Sequence, residues 1–186
     1  CEVGLPELLA PELQAAGEVK NGNFTAESDD FSLAIHIFRL LMNNADPFGA
    51  KVVGINVNSQ TAFNINSSII NGECPYFRRI PNKAVPDWAP KLDLLPADMI
   101  AAFDRTFNYT QTTILTSAKR RTTAEEWNRL LLQYAKPEPN PALKTCHKNP
   151  SHVYPAHHTS CPFCKNAAAA GKKGFLNKMK GLFGIS

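Results

Sequence analysis

Between Phe31 and Met42 the chain places Phe31, Leu33, Ile35, Ile37, Phe38, Leu40 and Leu41 so densely that few polar positions remain around a helical circumference. An element apolar on most sides is a buried one, so the pattern predicts a central helix from about Asp29 to Asn43. Ser28 or Asp29 can cap its start by accepting backbone N–H bonds, and Asn43, Asn44 and Pro47 end it. A second stripe of Met99, Ile100, Phe103 and Phe107 predicts a helix with Pro96 at its first position. A third, Trp127, Leu130, Leu131 and Tyr134, follows Thr123-Ala-Glu-Glu126, a capping box in which hydroxyl and carboxylate satisfy reciprocal backbone donors. From Gly49 to Leu95 the pattern is weak. Ile69-Ile70 and Tyr76-Phe77 suggest short elements there, and prolines 75, 81, 86 and 90 suggest a long surface traverse.

The predicted fold class is therefore mainly α. At 186 residues, 44% hydrophobic and 19% charged, the composition is that of a globular chain with a sizeable core rather than a disordered one. Lys136-Pro-Glu-Pro-Asn-Pro141 is a stiff, proline-rich linker and marks the best boundary, with expected parts 1–135, a linker 136–145, a small module 146–164 and a basic tail 165–186. The net charge of +4 resides in that tail, whose Lys165, Lys172, Lys173, Lys178 and Lys180 face no acid and leave roughly −1 on the rest. Phe175, Leu176, Met179, Leu182 and Phe183 lie at helical spacing opposite those lysines, a pattern suited to an anionic membrane surface or a partner. Three glycines weaken such a helix, so a flexible linker is the preferred reading. No run is long and apolar enough to span a bilayer. The chain opens with neither methionine nor a signal peptide, so an N-terminal truncation of a cytoplasmic protein is the expectation.

The five cysteines divide unevenly. Cys1 and Cys74 stand alone, whereas Cys146, Cys161 and Cys164 cluster with His147, His152, His157 and His158. Two thiolates at Cys-Pro-Phe-Cys spacing share one tight turn whose backbone N–H groups can bond the sulfurs, and one cysteine and one histidine upstream complete a tetrahedral zinc site. Cys146, His152, Cys161 and Cys164 are the favoured ligands, with His147, His157 and His158 as alternates. With no nearby glutamate for hydrolysis, the expected role of zinc is structural.

The polar and proline positions of the first third carry a further pattern. Gly4-Leu-Pro-Glu-Leu-Leu-Ala-Pro-Glu-Leu13 resembles the end of a protein-kinase activation segment, G-T-P-E-Y-M-A-P-E-L, through Gly4, Pro6, Glu7, Ala10, Pro11, Glu12 and Leu13. Asp30, Ser32, Leu33, Leu40, Leu41, Pro47 and Phe48 resemble the central helix of the kinase C-terminal lobe. Arg121-Thr-Thr-Ala-Glu-Glu126 is similar to the R-P-T-A-E-E start of its last helix. The three motifs occur in the family's order. With the Cys-x5-His and Cys-Pro-x-Cys module, also through Tyr154, they resemble a bacterial group combining a kinase domain with zinc-binding and, in some members, helix-hairpin-helix DNA-binding segments. No helix-hairpin-helix is visible in this chain.

The resemblance implies the C-terminal lobe of a serine/threonine protein kinase followed by a zinc knuckle. It also implies that Glu12 and Arg121 form a buried ion pair, with Arg120 the rival partner. Asp30 corresponds to the aspartate that accepts N–H bonds from the catalytic loop, with capping of its own helix as the alternative. Leu5 stands where these kinases carry a threonine, and cannot supply its hydroxyl. His-Arg-Asp, Asp-Phe-Gly and the glycine-rich loop are absent, so ATP and Mg would belong only to a full-length parent, and no residue of this chain is expected to be catalytic. The expected partner is a protein substrate of that parent. The alternatives are a pseudokinase scaffold and a zinc-dependent module for nucleic acid or partner proteins. Beyond the knuckle and the tail, nothing supports nucleic-acid binding.

Overall fold

The computed structural model describes residues 5–15, 24–54, 64–135 and 140–164. Gly4, most of the proline-rich linker and the whole basic tail lie outside these residues. Helices dominate: α1 (Pro11–Ala15), α2 (Ala26–Leu41), α3 (Ile65–Asn71), α4 (Ala97–Phe107), α5 (Ile114–Ala118) and α6 (Ala124–Ala135). Two antiparallel pairs of strands accompany them, β1 (Lys51–Val52) with β2 (Lys83–Ala84) and β3 (Leu143–Cys146) with β4 (Asn149–Pro155). The chain divides into two compact units: Cys1–Pro90 with Ala101–Ala124, and Lys91–Ile100 with Glu125–Ser186.

The first unit is organised by α2, which differs from expectation at both its start and its surface. The helix begins at Ala26, three residues early, and its cap is Thr25 rather than Ser28 or Asp29. The Thr25 hydroxyl accepts the Ser28 N–H at 3.3 Å, while Ser28 Oγ accepts the Thr25 N–H at 3.0 Å. Ala26 and Glu27 carry no apolar signal, so hydrophobic periodicity could not see this first turn. The helix is also less enclosed than its composition suggests: Phe31, Ala34, Ile35, Ile37 and Phe38 are buried, but Leu40 is 66% exposed and His36 faces solvent. It stops as expected, with Asn43 and Asn44 at φ 52° and 62°, left-handed values that asparagine tolerates better than most side chains.

Around α2 lies an aromatic core. Phe31, Phe48 and Phe107 pack with centroids 5.7–5.9 Å apart, and Phe38 meets Phe103 edge-on at 5.1 Å and Tyr76 at 5.0 Å. Such tilted and edge-to-face pairs favour the ring quadrupoles beyond area burial alone. The region that sequence pattern left undefined is tied to this core by polar bonds to backbone. Tyr109 Oη donates to the Ile69 carbonyl at 2.6 Å, and Arg78 Nη1 donates to the Tyr109 carbonyl at 2.8 Å. Asn64 caps α3 by accepting the N–H groups of Asn66 and Ser67, and Gly72 ends it at φ 64°. A Cβ on Gly72 would lie 2.2 Å from the Tyr109 carbonyl oxygen. Gly72→Ala therefore meets backbone as well as a left-handed φ, and a loss of at least about 2 kcal/mol is expected from denaturant titration. A loss under about 0.5 kcal/mol would show that this turn adjusts freely.

In α4 the stripe appears with small changes. Met99, Ala102, Phe103, Thr106 and Phe107 are buried, Ile100 half-buried. Pro96 precedes the helix rather than opening it, its carbonyl accepting the Ile100 N–H at 3.0 Å. Within the second unit, Tyr134 Oη donates to both oxygens of Asp98 at 2.7 and 2.8 Å. Burial and then this bond to a carboxylate push the Tyr134 phenol above its ordinary range. In α6, Trp127 and Tyr134 are buried while Leu130 and Leu131 are half-buried.

Candidate functional site

Two constellations stand out. The first joins the start of the chain to residue 121. After a single 3-10 turn (Pro6–Leu8), α1 presents Glu12 to Arg121, whose guanidinium donates from Nη1 to Oε1 at 2.6 Å and from Nη2 to Oε2 at 2.7 Å. The Arg121 side chain is 1% exposed and that of Glu12 16%. Nη1 also donates to the Glu27 carbonyl at 2.7 Å, and the guanidinium lies 5.1 Å from the centroid of the Phe31 ring. This fork-to-carboxylate pairing, with a carbonyl on Nη1 and an aromatic face beside the guanidinium, satisfies both terminal nitrogens of a buried cation, while the buried Nε–H has no hydrogen-bond partner. Arg120, the rival, instead donates to Ser117 Oγ at 3.2 Å.

Neighbouring polar groups fix the two ends of this latch. Ser32 Oγ of α2 donates to the Leu8 carbonyl at 2.8 Å, and Gln14 Nε2 donates to the carbonyls of Pro6 and Leu9 at 2.8 and 2.7 Å. Ala10 and Pro11 are buried, Glu7 half-buried, and Leu5 is 57% exposed. On the other side the buried Thr122 hydroxyl donates to the Ala102 carbonyl at 2.7 Å, and its N–H donates to Thr106 Oγ1 at 3.3 Å. These two threonines were not singled out from sequence, since an isolated threonine carries no signal of burial.

Asp30 corrects an expectation. It does not cap its own helix: its Oδ1 accepts the N–H of Ala124, the first residue of α6, at 3.0 Å. Burial pushes its carboxyl above the usual carboxylate range, against the opposing effect of that N–H bond.

The second constellation lies in the β3–β4 hairpin and the turn after it. Cys146 ends β3, His152 lies within β4, and Cys161 and Cys164 flank Pro162-Phe163. Their ligand atoms, three Sγ and one imidazole nitrogen, all lie within 4.8 Å of one another. Cys146 Sγ is 3.6 Å from Cys164 Sγ, and His152 Nδ1 is 3.6 Å from both Cys161 Sγ and Cys164 Sγ. A tetrahedral ion with bonds of about 2.3 Å to sulfur and about 2.0 Å to nitrogen demands ligand separations of about 3.5–3.8 Å, so the four side chains fit zinc. Apolar support comes from Tyr154 and Phe163, with Leu94 packed against them.

Electrostatics agree with a cation-seeking cluster. Burial raises the Cys146 thiol, but the N–H groups of Lys148 and Asn149 on its sulfur and bonds from Cys164 and Cys161 outweigh that, leaving it below its ordinary value. Cys164 is pushed up to about 11, first by its bond to Cys146 and then by burial. Burial also lowers the His152 imidazole, favouring the neutral ring that a metal requires. The three alternates do not join. His147 is exposed in the β3–β4 turn, while His157 and His158 both place Nε2 on the Asp93 carbonyl, at 3.1 and 2.8 Å.

These features define a helical unit with a buried carboxylate–guanidinium latch, accompanied by a Cys3His metal-type hairpin. The chain is similar to protein kinase YegI of Escherichia coli K12 and of Escherichia coli O157:H7, 30% identical to each over 166 residues. That alignment covers 88% of this chain but 24% of each relative, so the chain spans about a quarter of their length. No family model and no solved structure matches. Among the described residues, no helix is long and apolar enough to cross a membrane.

Proposed function

We propose that this chain is the C-terminal part of a bacterial serine/threonine protein-kinase-like protein, with a structural zinc knuckle appended. The observation that carries the reading is the bidentate Glu12–Arg121 pair, made between the two motifs whose kinase counterparts are paired in the same way. Similarity to YegI over most of the chain supports it independently. In this reading Arg121 holds the end of the activation segment against the base of the lobe, and Ser32 fixes the turn that leads into it. ATP-dependent phosphoryl transfer to protein belongs to a longer chain, because no phosphate-cradling loop, metal-binding aspartate or catalytic-loop aspartate is found among these residues.

Cys146, His152, Cys161 and Cys164 would hold the zinc. Bound there, zinc supplies a four-way cross-link and offers no open position for a substrate. Leu5 motivates a second reading, a pseudokinase scaffold, since its side chain lacks the hydroxyl usual at that place.

The test compares this chain with the longer product of its gene, each given radiolabelled ATP and Mg and assayed for label on itself and on a generic protein acceptor. Label transfer by the longer product alone is the expected result. A longer product that binds ATP and Mg yet transfers nothing establishes the scaffold instead.

A further inference from the structure

Two side chains of opposite charge line one small pocket of the second unit without pairing. The pocket has a volume of about 200 Å3 and lies between the 3-10 turn Leu92–Leu94, with Lys91 before it, and the turn that follows β4. Lys91 and Asp93 are both exposed, and neither makes an ion pair among the described residues. The second turn contributes His158 and the exposed Thr159, and Leu94 and Pro162 add apolar surface. Ser160, in the same lining, has a buried hydroxyl with no hydrogen-bond partner, a state that native folds seldom leave without water or a ligand nearby.

The two turns are held to each other. His157 and His158 both place Nε2 on the Asp93 carbonyl, at 3.1 and 2.8 Å, the His158 N–H donates to the Pro155 carbonyl at 3.1 Å, and Leu94 packs against the apolar cluster of the hairpin. These bonds use the backbone of Asp93 and leave its carboxylate to the pocket and solvent. The charges then select the ligand. A purely anionic molecule would meet Asp93 and a purely cationic one Lys91, and at such range repulsion offsets attraction. A molecule carrying both charges a few bonds apart pairs with both, and hydrogen bonds between charged groups are roughly twice as strong as neutral ones. The volume is that of about six or seven waters in the liquid, below the roughly 300–1,000 Å3 of sites for drug-sized molecules, so the ligand is small.

We propose that this pocket binds a free α-amino acid with a short aliphatic side chain: Lys91 and the Thr159 hydroxyl take its carboxylate, Asp93 takes its ammonium, and Leu94 and Pro162 cover the side chain.

The experiment uses the whole chain, 15N-labelled, with 1H–15N correlation spectra recorded as L-valine, acetate, methylammonium, glucose or inorganic phosphate is added. L-Valine is expected to give saturable shifts centred on residues 91–94 and 158–160. Acetate and methylammonium, which keep one charge each, should bind at least about tenfold more weakly. Lys91→Met and Asp93→Asn replace exposed side chains and keep the Asp93 carbonyl, so the same spectra should show both folded as wild type, and each should weaken L-valine by about tenfold or more. The proposal falls if L-valine gives no saturable shift or shifts residues elsewhere, or if either variant binds it within about twofold of wild type. It falls equally if acetate, methylammonium or phosphate binds as tightly as L-valine, which marks a simple ion site, or if glucose does, which marks a polyol site.

Discussion

Glu12→Ala is expected to destabilise the first unit by about 3–5 kcal/mol, because it strands the Arg121 guanidinium in a site where its side chain is 1% exposed. What remains around that charge is the Glu27 carbonyl and the face of Phe31, too little to replace a bidentate carboxylate. A cost of this size is a large fraction of the roughly 5–15 kcal/mol that typical domains possess. The urea midpoint should fall with little change in slope, and the loss should persist at high salt, since a buried charge is poorly screened. The double replacement Glu12→Leu with Arg121→Met removes both charges and should recover much of the stability, whereas Glu12→Ala alone should not. If Glu12→Ala melts within about 0.5 kcal/mol of wild type, Arg121 reaches solvent and the latch is a surface pair.

Removing zinc, or the thiolate of Cys164, should have the larger local effect. The buried apolar cluster of the hairpin consists of Cys146, Tyr154, Cys161 and Phe163, so half of it is made of the ligands themselves. Without the ion, Tyr154 and Phe163 with Leu94 packed against them would be the main apolar support left to residues 140–164, and metal binding and local folding become one process, on the order of 10–16 kcal/mol in apparent terms. The purified chain should contain one zinc, and a chelator should open residues 140–164 to protease. Cys164→Ser should lower the zinc content and do the same. A Cys164→Ser chain with unchanged zinc and unchanged protease resistance would falsify the knuckle.

Much of this site was legible because its signals are local. Cys161 and Cys164 declare themselves by spacing, and the zinc set drew on four cysteine and histidine positions among seven candidates. The exclusion of His157 and His158 was not legible: both rings turn to the Asp93 carbonyl, a residue more than 60 positions away in the chain. Spacing also could not name the nitrogen of His152 that faces the sulfurs.

The first unit shows the same division. Apolar periodicity located α2, α4 and α6, since helix period is written in consecutive residues. The capping of α2 by Thr25, the bond of Asp30 to Ala124 and the path from Gly49 to Leu95 depend on polar groups meeting backbone across the fold. Periodicity does not encode such meetings.

By itself the sequence determined which segments are helical, that four cysteine and histidine side chains could share a metal, and that Glu12 and Arg121 belong to one recurring pattern. Only tertiary structure decided that these two charges meet, 109 positions apart, with a carbonyl and a phenylalanine ring beside the guanidinium. The reason is physical: propensity and spacing act over a few residues, whereas a buried charge is tolerated only where distant groups converge to replace water.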